Sequence, residues 1–145
     1  MTARRFRDGS AFESTAGYSR AVRHGRHVFV SGTAALGPDG VLHPGDAYAQ
    51  TVEAIRRALA AAAELGAKRT DVMRTRLLLA PNCDWQGAVR AHGEAFAPEG
   101  PANTTYYVAG FIPDGVLVEI ELDALIDSDP ADSSDATVEV RTPKS

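Results

Sequence analysis

The chain has 145 residues, 44% hydrophobic and 23% charged, enough for one domain to bury its own core. A net charge of −4 disfavours a nucleic-acid partner, no apolar run reaches the roughly 20 residues of a membrane span, and the single cysteine, Cys83, excludes an internal disulfide framework. The basic start has no apolar stretch behind it, so it does not read as a secretory leader, and a cytoplasmic protein is expected.

Residues 20–24 and 27–34 read as two strands around a turn at Gly25, the second short, β-branched and apolar. Gly37-Pro38-Asp39-Gly40 is a turn signal. Residues 46–65 form the clearest helix. Tyr48, Val52, Ile55, Leu59 and Ala62 make one apolar stripe, Asp46 caps the start and Gly66 ends it. Thr70-Asp71 reads as a short capping turn, and Met73 to Leu79 as a strand that Pro81 breaks. A second helix runs from Asp84 to about Ala97, with Trp85, Val89, His92 and Phe96 on its apolar face and Trp85 expected to anchor it to the sheet. Residues 104–109 and 116–126 are the last strands, joined around Pro113-Asp114-Gly115. Residues 1–126 are thus expected to form one domain. Residues 127–145, rich in Asp, Ser and Pro, read as a flexible acidic tail in which 137–140 has an edge-strand pattern.

The order ββ, α, β, α, ββ predicts an α+β fold, a mixed sheet with two helices on one face. No helix remains for the other face. An apolar sheet face left uncovered needs a partner, so oligomerisation is expected.

Three stretches carry a family resemblance. Gly17-Tyr18-Ser19 precedes Val28-Phe29-Val30-Ser31-Gly32. Gln50-Thr51 opens a long helix that closes on Leu65-Gly66-Ala67 and leads to Asp71-Val72. Pro101-Ala102-Asn103-Thr104-Thr105 precedes Leu117-Val118-Glu119-Ile120-Glu121. In this order and register, over roughly residues 16–126, they resemble the Rid family (YjgF/YER057c/UK114-like). The resemblance implies a chorismate-mutase-like fold. It also implies a homotrimer whose sheets form a central barrel, with a small-molecule cleft between subunits and no cofactor. Archetypal members hydrolyse reactive imines and enamines such as 2-aminoacrylate, and carry Pro-Ala-Arg at the third motif. Here Asn103 stands in place of that arginine. A neutral amide cannot supply the bidentate cationic grip on a carboxylate, so activity on simple imino acids is in doubt. Thr105 stands where many members have cysteine, Tyr107 where related sequences often have glutamate, and Gly110 where arginine is common.

The candidate catalytic residues are Glu119, Asn103 and Tyr18, and the candidate substrate-binding residues are Gly32, Thr105 and Tyr107. Glu119 matches the family's cleft glutamate, where a carboxylate could activate water at an imine carbon. Its bland reading is a solvated strand face shared with Glu121. Tyr18 matches the cleft tyrosine and Gly32 the glycine bordering the ligand; Tyr18 is otherwise a packing aromatic. Asn103 reads either as a cleft residue or as a turn residue, and Thr105 shares its face. His92 is expected to be a partly buried histidine with a hydrogen-bond partner rather than a catalyst. The spacing of His24, His27 and His43 fits no metal site, and none is expected. Nothing near Cys83 marks an activated thiolate. Ser31-Gly32-Thr33 lacks the pattern of a phosphate loop.

These residues support an enzyme acting on an imine, enamine or related carbonyl metabolite larger or less acidic than a simple imino acid. The alternative is a metabolite-binding or accessory protein using the same cleft without turnover. Ribonuclease activity, which the resemblance also brings, is disfavoured by the net acidity and the lack of a histidine pair in register.

Overall fold

The structure, a computed structural model, describes residues 2–127; most of the predicted acidic tail and its 137–140 strand lie outside the described residues. Its elements are β1 (Arg4–Phe6), α1 (Ala11–Ala16), β2 (Ala21–His24), β3 (His27–Ala34), β4 (Leu36–Gly37), β5 (Gly40–Val41), α2 (Ala47–Glu64), a 3₁₀ turn (Arg69–Asp71), β6 (Val72–Leu79), α3 (Trp85–Phe96), β7 (Ala102–Tyr107) and β8 (Val118–Leu125). Six strands form one sheet in the order β1-β2-β3-β8-β6-β7, and β4 and β5 make a separate hairpin. Every pairing in the six-stranded sheet is antiparallel except β6 with β7. Those two run parallel and are joined across the face by α3, as a parallel pair requires. The fold is α+β, with a mixed sheet.

Period-two alternation decides which way each strand faces. In β8, Val118, Ile120, Leu122 and Ala124 are buried, while Glu119, Glu121 and Asp123 point the other way. Register places Thr75, Leu77 and Leu79 of β6 beside Leu122, Ile120 and Val118, and Val28 and Val30 of β3 complete the same apolar layer. Helices α2 and α3 lie on this face.

The helix stripes differ from expectation. On α2 the buried side is Ala47, Gln50, Thr51, Ala54, Ile55, Ala58, Ala61 and Ala62, and Val52 is exposed. On α3, Gly87, Ala88, Ala91 and Phe96 face inward, whereas Val89 is exposed and Trp85 is 49% exposed, so Trp85 does not anchor the helix to the sheet. Small residues let both helices sit close to the sheet, which leaves no room for the larger ones. The ends of α2 follow the sequence. Asp46 accepts a hydrogen bond from the Ala49 amide at 3.0 Å. Gly66, with φ +93°, closes a Schellman turn in which the amides of Ala67 and Gly66 donate to the carbonyls of Ala62 and Ala63.

The sheet's other face is mixed. Val22, Phe29, Leu78 and Leu125 give it apolar patches, and among them Arg76 pairs with Glu121 at 3.5 Å and Asp123 at 3.3 Å. The alternation that buries the aliphatic side of β8 puts its acids on this side. The last strands are Ala102–Tyr107 and Val118–Leu125, against the expected 104–109 and 116–126. Pairing begins immediately after Pro101, whose missing amide hydrogen would be lost from a ladder. β1 and α1 are three and six residues long, too short to show a period.

Candidate functional site

A cluster of polar groups is built around β3, where the register shifts between Val30 and Thr33. The irregularity brings Gly32 against Glu119 of β8. A Cβ at position 32 would lie 3.0 Å from Glu119 Oε2. Arg20, its side chain 11% exposed, ties the neighbouring groups together. Its Nη1 donates to the Gly32 carbonyl at 2.6 Å and to Thr33 Oγ1 at 3.3 Å, its Nη2 to the Tyr18 hydroxyl at 3.2 Å, and its Nε to Asp8 at 3.2 Å. The guanidinium also lies 5.5 Å from the centroid of the Tyr18 ring. Burial pushes the Glu119 carboxyl above its ordinary range; the Arg20 charge opposes this and Glu121 adds to it. A carboxyl so placed holds its proton closer to neutrality than a surface glutamate, which suits general acid–base work.

The Tyr18 amide donates to the Glu13 carbonyl at 3.1 Å, and the Glu13 carboxylate is buried. That carboxylate accepts from the amides of Gly9 at 2.8 Å, Ser10 at 3.1 Å, Arg20 at 3.1 Å and Asp8 at 3.3 Å. It is occupied in fixing the segment around α1. The hollow of about 470 Å³ that it shares with Arg7, Ser10, Ser14 and Tyr18 has no other carboxylate in its wall.

The second group lies on β7, an edge strand whose residues are all exposed. Asn103 is in register with Thr75, Thr105 with Leu77, and Tyr107 with Leu79, so all three are on the helix-bearing face. Four side chains form a line there. His92 Nε2 lies 2.7 Å from Thr75 Oγ1, Asn103 Nδ2 donates to the same oxygen at 3.0 Å, and the Thr105 hydroxyl donates to Asn103 Oδ1 at 2.8 Å. Beyond Thr105 is a hollow of about 200 Å³ between Leu79, Trp85, Tyr106 and Tyr107. Burial holds His92 below its ordinary pKa.

The structure therefore brings together Tyr18, Gly32 and Glu119, and separately Asn103, Thr105 and Tyr107. It does not join the two groups, because Glu119 alternates with Val118 and Ile120 and so faces away from the helices. Among the described residues no three His, Cys, Asp or Glu side chains could hold a metal ion, and no helix is long and apolar enough to cross a membrane. Burial raises the Cys83 thiol, with Asp84 adding to the effect, so it is not an activated thiolate.

Comparison with known proteins places this architecture. Residues 8–126 match the family model described as Endoribonuclease L-PSP. The chain belongs to that family. The Rid family's fold is shared with the Mycobacterium tuberculosis protein Rv2704, described as a member of the YjgF/YER057c/UK114 family. The two are 38% identical with a TM-score of 0.78, over 86% of this chain and 100% of that one. An uncharacterised protein of Streptomyces coelicolor is 41% identical, over 83% of this chain and 90% of its own length. A RutC family protein of Pyrococcus abyssi is 30% identical, over 72% of this chain and 82% of its own. All six candidate residues fall inside the segment matched to the family.

Sequence reasoning on this Rid-family chain missed Arg20 and Thr75, whereas His92 is the partly buried, hydrogen-bonded histidine expected, with Thr75 as its partner. Arg20 reads as one of several surface arginines near the start of the chain. Its position two residues after Tyr18, immediately before β2, is the available signal. Thr75 reads as an ordinary strand residue between two arginines. Its burial follows only from the register with Leu122.

Proposed function

We propose that this chain is an atypical Rid-family hydrolase acting on a small imine, enamine or related carbonyl metabolite in a cleft between subunits of a homotrimer. The observation that carries this reading is Glu119: a half-buried carboxyl with raised proton affinity, against a glycine that leaves it uncovered, beside Tyr18 and Arg20. Glu119 accepts a proton from water as the oxygen adds to the imine carbon, and a proton returned to nitrogen lets the amine leave. Tyr18 borders the site, and Asn103, Thr105 and Tyr107 supply the opposite wall. Their position on the other face of the same sheet supports the composite cleft, since one copy cannot present both groups to one substrate. Asn103 carries no charge, which argues for a substrate other than a simple imino acid.

The test is hydrolysis of freshly generated 2-iminopropionate and of bulkier imines by the native protein and by Glu119→Gln, with the oligomeric state measured by sedimentation. Turnover lost in the variant, from a trimer in both, supports the reading. Equal rates remove Glu119 from the mechanism. Inactivity on every imine moves the protein to a binding role.

A further inference from the structure

The line of side chains from His92 to Thr105 acquires a direction once each buried hydrogen is given an acceptor. Asn103 Nδ2 meets two acceptors, both on Thr75: Oγ1 at 3.0 Å and the backbone carbonyl at 3.5 Å. A carbonyl can only accept, so the amide nitrogen, not its oxygen, faces Thr75. Thr75 is fully buried. Its hydroxyl receives the Asn103 hydrogen, and its own single hydrogen has His92 Nε2, 2.7 Å away, as the acceptor in line. With Nε2 as that acceptor, we infer that His92 carries its hydrogen on Nδ1. At the other end Asn103 Oδ1 receives the one hydrogen of the Thr105 hydroxyl. Thr105 is left with oxygen lone pairs and no hydrogen to offer.

The hollow beyond it is small, about 200 Å³, and its other walls are Leu79, Trp85, Tyr106 and Tyr107. Alternation turns the Tyr106 side chain to the other side of the sheet, so the aromatic side chains on the Thr105 side are Trp85 and Tyr107. Aromatic rings attract cations and planar groups and do nothing for a carboxylate. We propose that this hollow is an acceptor site: it takes the N–H-bearing end of a ligand, amine, iminium or amide, against Thr105 and the Trp85 and Tyr107 side chains, and His92 is the positioning residue that sets this polarity through Thr75 and Asn103. The inference rests on β7 forming one wall of the substrate cleft. It assigns that wall the nitrogen of the substrate, where an arginine would bind its carboxylate.

Two measurements on the full chain test it. Long-range 15N–1H correlation of the histidine rings reads the tautomer directly. His92 protonated at Nδ1 with bare Nε2 supports the direction of the chain, and Nε2–H overturns it. Binding of benzylammonium and of benzoate, followed at the Trp85 indole and the Thr105 amide, then reads the preference. Benzylammonium is expected to bind at least tenfold more tightly. Thr105→Val, on an exposed edge strand, is expected to abolish the difference, and Asn103→Arg to reverse it. Equal affinities, tighter benzoate, binding of neither probe, or an unchanged preference in Thr105→Val overturns the proposal. None of these readings depends on turnover, so failure here is distinct from failure of Glu119 to support hydrolysis.

Discussion

Glu119 can be displaced without altering Glu119. Gly32→Ala adds one methyl group whose carbon would lie 3.0 Å from Oε2 and 3.7 Å from Cδ of that side chain, where ordinary contact starts at 3.4 Å. The φ of Gly32 is outside the left-handed region, so alanine brings no backbone strain. The carboxylate must therefore give way by about 0.4 Å, the shortfall of the 3.0 Å contact from 3.4 Å. A tip shift of this size is well short of the roughly 30° rotamer excursion that costs about 1 kcal/mol. In a domain of this size the melting temperature therefore falls by less than about 3 °C. Misplacing a catalytic group by about 1 Å costs roughly a hundredfold, so the smaller shift is expected to lower kcat roughly sixfold. The methyl also shields the carboxylate from solvent, so its pKa rises further. The assays are imine hydrolysis, thermal unfolding and a 13C titration of the Glu119 carboxyl. Unchanged kcat with an unchanged titration would refute the placement of Gly32 over the reacting group. A fall in melting temperature beyond about 10 °C would mean that the glycine serves the backbone instead.

Glu119→Gln removes a carboxyl whose folded pKa is raised by burial. Such a group favours the folded state below its unfolded pKa and loses that advantage as pH rises through the folded value. The variant should melt higher than the native protein at pH 8, match it at pH 4, and lose roughly a hundredfold or more in turnover. His92, held below 6.5 by burial alone, gives the opposite limb. Its contribution is present above the unfolded pKa and lost as pH falls below it, so the denaturation midpoint should decline from pH 6.5 downward and His92→Gln should flatten that decline. Gln50 is fully buried, donating to the carbonyls of His43 and Gly115 and accepting from the Leu117 amide at 2.8 Å. Gln50→Leu strands these groups and should cost about 3 kcal/mol in urea unfolding. Glu13→Gln exchanges an acceptor-only carboxylate for a group with one acceptor oxygen beneath four amides. Faster hydrogen exchange should appear at Gly9, Ser10 and Arg20, with the β8 amides unaffected.

Much of the architecture is legible because its signals are periodic. The eight residues of β8 alternate without a break, and α2 carries both its caps in the sequence. Which side of α2 is buried is less legible, because alanines carry little hydropathic signal and the larger Val52 and Tyr48 dominate the reading. The site is legible only as two sets of residues. Alternation separates Glu119 from Val118, but placing Asn103 opposite Thr75 requires the parallel register of β6 and β7, which no local pattern encodes. Arg20 and His92 act through partners 12 and 17 residues away, and residue type does not reveal such contacts.

The last strand among the described residues lies inside the sheet, not at its edge. β8 stands between β3 and β6, and among the described residues no other strand pairing joins the β1-β2-β3 half to the β6-β7 half. A chain emerging from the ribosome can form the first hairpin and the β6-α3-β7 crossover as separate pieces. Their apolar edges stay open until residues 118–125 are made. Closure is therefore a single late event of high sequence separation, and the interval before it is when the unfinished protein is most exposed to wrong partners.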